Sequence, residues 1–232
     1  MKKQNKTLLF TGLGLLLAFV VWTILIKTVD VQPVGPNGSE VGFATINAWF
    51  HNLTGVNWTL YNITDWLGFV PIGLCVVFAV LGLVQLIKRK SLYKVDKDII
   101  CLGVYYIVVI LAYFIFEMIP LNYRPVIIEN RLEASYPSST TLLVLSVMPT
   151  LVFEANRRIN DKNWKCAIDL CSIFFATFMV VGRAISGVHW LTDILGSVIL
   201  SAGLYLLFRA VVSIIDAKCE KAEKSDETEK GE

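Results

Sequence analysis

The 22-residue stretch Trp66–Ile87, WLGFVPIGLCVVFAVLGLVQLI, carries no charged side chain. At 1.5 Å per residue it forms a helix about 33 Å long, enough to cross a hydrocarbon layer of about 30 Å. Two runs of the same kind flank it: Leu8–Ile26, 19 residues, and Ile99–Phe116, 18 residues. Apolar runs of this length read as membrane-spanning helices.

The composition agrees. Of 232 residues, 55% are hydrophobic and 17% charged, against about 45–50% and about 25% in a soluble domain. A soluble enzyme, a disordered chain and a secreted disulfide scaffold are excluded. The length suits one membrane domain with short loops. The net charge of +2 gathers into no basic stripe, so nucleic acid is not an expected partner. Four of the five cysteines, Cys75, Cys101, Cys166 and Cys171, lie in or beside apolar runs. They read as small buried hydrophobes rather than a disulfide framework.

Working outward, three weaker spans follow. Ala134–Phe153 has no charge but contains Pro149, which predicts a kinked helix. Cys166–Gly182 carries only Asp169, and Val188–Phe208 only Asp193. Met1–Ile26 has a lysine-flanked start like a leader peptide. Its apolar run exceeds the usual 7–15 residues or so, and no Ala-x-Ala site follows, so it reads as a retained first span. The fold class is therefore all-α, a bundle of six transmembrane helices.

Charge placement sets the expected topology. Seventeen of the 21 basic residues cluster before the first span, between spans two and three, between four and five, and after the sixth. Positive loops stay inside, so both termini are expected in the cytoplasm. Residues 1–215 form the six-span domain. Residues 216–232 form a charged cytoplasmic tail that reads as solvated and partly disordered. The outer segment 28–65 carries Phe43, Ile46, Trp49 and Phe50 at helical spacing. This predicts either a helix lying in the membrane interface or a segment packed over the helix ends. Its sequons, starting at Asn37, Asn52, Asn57 and Asn62, would matter only in a eukaryotic secretory pathway. The expected setting is a bacterial plasma membrane.

Arg124, Arg131 and Arg183 stand apart, because all three fall on the outer side, where the bias disfavours them. His189 and Asp193 are spaced i, i+4 at the start of the sixth span, and this spacing puts them on one helix face. A carboxylate there fixes the tautomer of the ring and leaves its other nitrogen as nucleophile or base. A satisfied polar pair at a helix end remains the alternative. A metal site is not expected: His-x-x-x-Asp gives two ligands where catalytic zinc takes three from the protein. Two guanidiniums suit bidentate phosphate binding. Ser138, Ser139 and the open N–H groups of a helix start suit an anion. These pieces converge on the outer ends of helices three to six.

These residues resemble the type 2 phosphatidic acid phosphatases, a superfamily related to vanadium haloperoxidases. Its first block is Lys, six residues, Arg-Pro; Arg124-Pro125 matches and Glu117 stands in the Lys position. The second is Pro-Ser-Gly-His, where this chain has Pro137-Ser138-Ser139-Thr140. The third is Ser-Arg, five residues, His, three residues, Asp; Arg183, His189 and Asp193 match, with Gly182 for Ser. The resemblance implies an integral-membrane phosphatase acting outside on a lipid phosphate or isoprenoid diphosphate, without a metal or other cofactor. It implies that His189 forms a phosphohistidine and that Asp193 orients it. It further implies that Arg124, Ser138 and Arg183 hold the phosphate, with Ser139 and Thr140 beside them.

The departures redirect the chemistry. Thr140 replaces a histidine that protonates the leaving oxygen, a contribution of about 10²–10⁴-fold. That loss is mild for a phosphate leaving group, so a diphosphate such as a polyprenyl diphosphate is the expected substrate. Glu117 is a candidate substitute acid or a partner for Arg124. The second function class is a silent relative that binds a lipid phosphate or serves as scaffold or transporter.

Overall fold

The computed structural model describes residues 3–230. Its helices are α1 (Lys3–Thr28), α2 (Ala44–Thr54), α3 (Trp58–Leu67), α4 (Phe69–Arg89), α5 (Lys97–Met118), α6 (Ser139–Arg158), α7 (Lys162–Ile185) and α8 (Leu191–Lys230). Six helical segments are long and apolar enough to cross a membrane, with α3 and α4 together forming the second. The expected all-α six-span bundle is present.

The packing is that of a chain solvated by lipid. Large apolar side chains such as Phe10, Leu17, Phe114 and Phe174 face outward. Polar groups turn inward and find partners, as hydrocarbon demands. Tyr105 Oη donates to the Ser146 carbonyl at 3.0 Å, and Tyr106 Oη lies 2.7 Å from Thr150 Oγ1. Helix α6 carries Pro149 within it and packs with α8 at the centre, among α1, α5 and α7. Leu102, Leu142, Val147, Leu204 and Val212 fill the core. Helices α1 and α8 run antiparallel. Asn5 Nδ2 donates to the Ser213 carbonyl at one end, and Trp22 Nε1 to the Thr192 carbonyl at the other.

The two ends of the bundle differ in chemistry. The end that holds the α4–α5 and α6–α7 turns is laced by ion pairs. Arg157 bridges Asp98 at 2.9 Å and Asp216 at 2.8 Å, and Arg158 reaches Asp98 at 3.1 Å. The opposite end is built from residues 29–67, 119–138 and 186–190. There α2 packs on the start of α8 and buries Ala44 and Asn47, while Ile46, Trp49 and Leu53 stay exposed. Packing over the helix ends is thus realised on one face of α2.

Several boundaries differ from expectation. The fourth span starts at Ser139, just after Pro137, which supplies no N–H. Residues 134 and 135 instead return along a short hairpin. Its pairings are the Tyr123–Ala134 bridge and the Ser135 N–H to Asn122 carbonyl bond, 2.9 Å. The sixth span starts at Leu191, because Gly187 takes a left-handed φ of 71° and turns the chain first. Helix α8 continues from the sixth span to Lys230. Gly231 and Glu232 lie outside the described residues, as do Met1 and Lys2. The cysteines are not the buried hydrophobes expected: Cys166 and Cys171 are exposed on α7 and the others half-buried. Asn57, read as a sequon, caps α3 by accepting the Leu60 N–H.

Candidate active site

His189 sits in the turn between α7 and α8, two residues before α8 begins. It therefore does not share a helix face with Asp193, as the i, i+4 spacing suggested. A third residue joins them. Ser135 Oγ donates to Asp193 Oδ2 at 2.6 Å and lies 3.0 Å from His189 Nδ1. The Ser135 carbonyl stands 3.1 Å from the same Nδ1. With its hydroxyl proton committed to Asp193, Ser135 presents acceptors to the ring, which assigns the proton to Nδ1. The lone pair is left on Nε2. That atom is buried, and among the described residues nothing bonds to it.

Asp193 is fixed on three sides. Besides Ser135, it accepts Asn122 Nδ2 at 3.2 Å and the Trp190 N–H at 3.1 Å. The last bond caps the first turn of α8. Burial holds the His189 ring well below its ordinary proton affinity, and the positive charges of Arg124 and Arg183 push it the same way. The ring is neutral at neutral pH, as a nucleophile must be.

Both arginines are buried, and both retain unsatisfied nitrogens. Arg124 leaves the hairpin at the position whose N–H bonds the Glu133 carbonyl at 3.0 Å. Its Nε lies 3.2 Å from Glu133 Oε2, an ion pair without hydrogen-bond alignment. Arg124 Nε and Nη1 have no hydrogen-bond partner among the described residues. Arg183 stacks on Tyr61, its guanidinium carbon 4.8 Å from the ring centre. Its Nη1 reaches Thr64 Oγ1 at 3.4 Å and Asp65 Oδ1 at 3.5 Å. Arg183 Nε is left without a partner. Buried guanidinium N–H groups of this kind are costly unless an anion completes them.

The serine block divides. Ser139 and Glu117 line a pocket of about 10 Å³ together with His189 and Tyr136, room for about one water. Ser138 is fully buried and turned inward, its Oγ 3.1 Å from Thr141 Oγ1. Thr140 lines a separate groove of about 490 Å³ between α3–α4, α5 and α6. Tyr113, Ser139 and Leu142 border both spaces. No side chain caps the α6 N-terminus. Glu117 is exposed at the mouth. Arg131 is exposed at the tip of the hairpin, away from these contacts. Among the described residues no cluster of His, Cys, Asp and Glu could hold a metal ion.

Sequence reasoning missed Asn122, Ser135, Thr64 and Asp65. Small polar residues in outer segments carry no periodic signal. It also left Gly182 unexplained. A Cβ there would lie 2.9 Å from Thr64 Cγ2, so glycine lets α3 approach closely enough for Thr64 to reach Arg183.

A model described as PAP2 superfamily matches residues 74–215. The fold matches the crystal structure of the first transmembrane PAP2 type phosphatidylglycerolphosphate phosphatase from Bacillus subtilis. The TM-score is 0.62 at 18% identity, over 90% of this chain and 97% of that one. At that identity the likeness is one of fold. No curated protein matches the chain.

Proposed function

We propose, from the premise that this chain belongs to the PAP2 superfamily, that it is a membrane-embedded lipid phosphatase working through a phosphohistidine. The observation that carries this reading is the His189 ring. Its Nδ1 is engaged by Ser135, and its Nε2 is buried and unpartnered beside two arginines with unsatisfied N–H groups. A phosphoryl group there would meet a neutral nucleophile and the donors its oxygens need.

In this reading Nε2 attacks phosphorus. Asp193, through Ser135, stabilises the positive charge that develops on the ring. Arg124 and Arg183 hold the equatorial oxygens, and Ser139 of the serine block lines the small pocket with His189. The groove of about 490 Å³, walled by Phe69, Ile72, Val109 and Leu143, suits a lipid chain lying between the helices. Thr140 borders that groove and is no acid near neutral pH. A leaving group stable as an anion is therefore favoured, which points to a lipid diphosphate. The basic clusters at the other end of the bundle favour a site facing outside, with both termini cytoplasmic.

Phosphate release from lipid mono- and diphosphates in detergent tests the reading. Replacing His189 with Ala should lower it at least about 10³-fold, as loss of a nucleophile does. Release by His189→Ala equal to wild type on every substrate overturns the enzyme. Equal turnover of a matched monophosphate overturns the diphosphate preference. Glu117 at the mouth and the displacement of Thr140 from the His189 pocket favour a second reading, a silent relative that binds a lipid phosphate. Binding without release would establish it.

A further inference from the structure

Helix α2 presents three sides, and the bundle covers one of them. At about 100° per residue, Ala44, Asn47 and His51 share the inner side, where Ala44 and Asn47 are buried. Thr45 and Asn52 fall on a second side and are exposed. Ile46, Trp49 and Leu53 fall on the third, with exposures of 46%, 59% and 67%. The stretch Val41 to Thr64 contains no Asp, Glu, Lys or Arg. Burial lowers the proton affinity of His51, so the stretch is uncharged at neutral pH. What α2 offers a partner is apolar area alone.

The contacts of α2 fix its direction. At its N-terminal end the Phe43 ring stacks on Trp22, near the end of α1, with ring centres 5.1 Å apart. In its middle Asn47 Nδ2 donates to Thr192 Oγ1, at the start of α8, at 2.8 Å. Further on, His51 packs against Trp190, ring centres 5.6 Å apart. Just beyond the helix the Asn57 N–H bonds the carbonyl of Ser186, at the end of α7, at 3.0 Å. Helix α2 therefore runs across the tips of three spans and along none of them. Its depth follows from α1. A Cβ on Gly42 would lie 1.7 Å from the carbonyl oxygen of Ile26, the last residue of the uncharged run Leu8–Ile26. That is the level at which hydrocarbon gives way to headgroups.

We propose that α2 lies in the plane of the membrane at this end of the bundle, with Ile46, Trp49 and Leu53 sunk in the acyl–headgroup boundary of the adjoining leaflet. The occupant of that face is lipid. Exposed apolar side chains continue from it through Trp58 and Trp66 of α3 to Phe69 of the second span, and tryptophan gathers at this depth. Thr45 and Asn52 then face the water. No basic residue draws the helix to anionic lipid, so its attachment rests on apolar burial. Through Asn47 and His51 the leaflet holds the turn that carries His189 at headgroup level. This seat is separate from the phosphatase chemistry and needs no turnover.

The test uses the full chain in phosphatidylcholine nanodiscs, with the native cysteines changed to serine. A spin label is placed by Ile46→Cys, Trp49→Cys, Leu53→Cys or Asn52→Cys. An interfacial helix sinks its apolar face by about 5–10 Å. The first three labels should therefore collide more with oxygen than with a nickel chelate, and the label at Asn52 more with the chelate. Nickel access at all four puts α2 in water and overturns the proposal. Shielding of the first three from both reagents puts a protein partner on the face and overturns it equally. A second measurement needs no label. The tryptophan emission that Trp49→Phe removes should be quenched at least about twofold more strongly by phosphatidylcholine brominated near the headgroup than by lipid brominated at the chain ends. Absent quenching, or stronger quenching from the chain ends, overturns the seat.

Discussion

His189 sets the chemistry of the site through two atoms with different tasks. Nδ1 is tied to Ser135, which Asp193 anchors through a 2.6 Å bond to Ser135 Oγ, so the ring cannot rotate without giving up its contacts to Ser135. In the proposed mechanism Nε2 must stay unprotonated to attack. Burial first, and Arg124 and Arg183 next, lower the proton affinity of the ring. The sign of the pH effect follows. The nucleophile is lost only as pH falls through a folded value below the ordinary one of about 6.5. The acid limb of kcat/KM, corrected for ionisation of the substrate, should therefore lie below about pH 6.5. The unfolded chain binds this proton more readily than the folded one. The contribution of His189 to stability is thus complete above about pH 6.5 and declines as pH falls from there toward the folded value. A titration of activity and of thermal unfolding on one sample checks both. An acid limb above pH 7 would contradict the arrangement.

At the scale of elements, the site is clamped by a segment that lies outside the family match at 74–215. Asn47 of α2 donates to Thr192 Oγ1 at 2.8 Å and accepts the Thr192 N–H at 3.3 Å. The Asn57 N–H bonds the Ser186 carbonyl at 3.0 Å, and α3 supplies the partners of Arg183. The turn that carries His189 therefore rests on the α2–α3 corner. Gly187 is where they touch: its φ is 71°, and a Cβ would lie 1.8 Å from the Gly55 carbonyl oxygen. Gly187→Ala must move the turn and His189 with it. A shift of about 1 Å can cost on the order of 10²-fold in rate. We expect a fall of that size in kcat, with the helical circular dichroism of the bundle retained. Wild-type kcat in Gly187→Ala would show that the corner does not position the turn. This layer was the least legible in the sequence. The spans could be read from Trp66–Ile87 and its neighbours, because lipid imposes long uncharged runs. The spacing of Arg183, His189 and Asp193 could be read because a motif repeats residue types. Ser135, Asn122, Asn47 and Thr64 act through single hydrogen bonds from irregular backbone, which no period or composition announces. The same limit explains the misplaced starts of α6 and α8, set by Pro137 and Gly187 rather than by hydropathy.

Across the whole molecule, the distribution of charge separates the two ends of the bundle and predicts a side for the site. The α4–α5 turn carries Lys88, Arg89, Lys90 and Lys94, and Arg157 and Arg158 add an ion-pair network around buried Asp98 at the same end. At the other end Thr28 to Asp65 has no basic residue, and of the arginines there Arg124 and Arg183 are buried while Arg131 is exposed. Basic loops resist translocation, so we expect the first end to stay in the cytoplasm and the second to be carried across. Two exposed positions report on this from opposite ends: Glu40 in the outer segment and Tyr93, 94% exposed, in the α4–α5 turn. In a background with every cysteine changed to serine, Glu40→Cys should react with a membrane-impermeant maleimide on intact cells. Tyr93→Cys should react only after the membrane is opened. The reverse pattern would put His189 on the cytoplasmic side, and the substrate with it. A lipid diphosphate released outside and one retained inside come from different steps of lipid handling. The labelling result therefore fixes which leaflet must present the substrate to the groove between α4, α5 and α6.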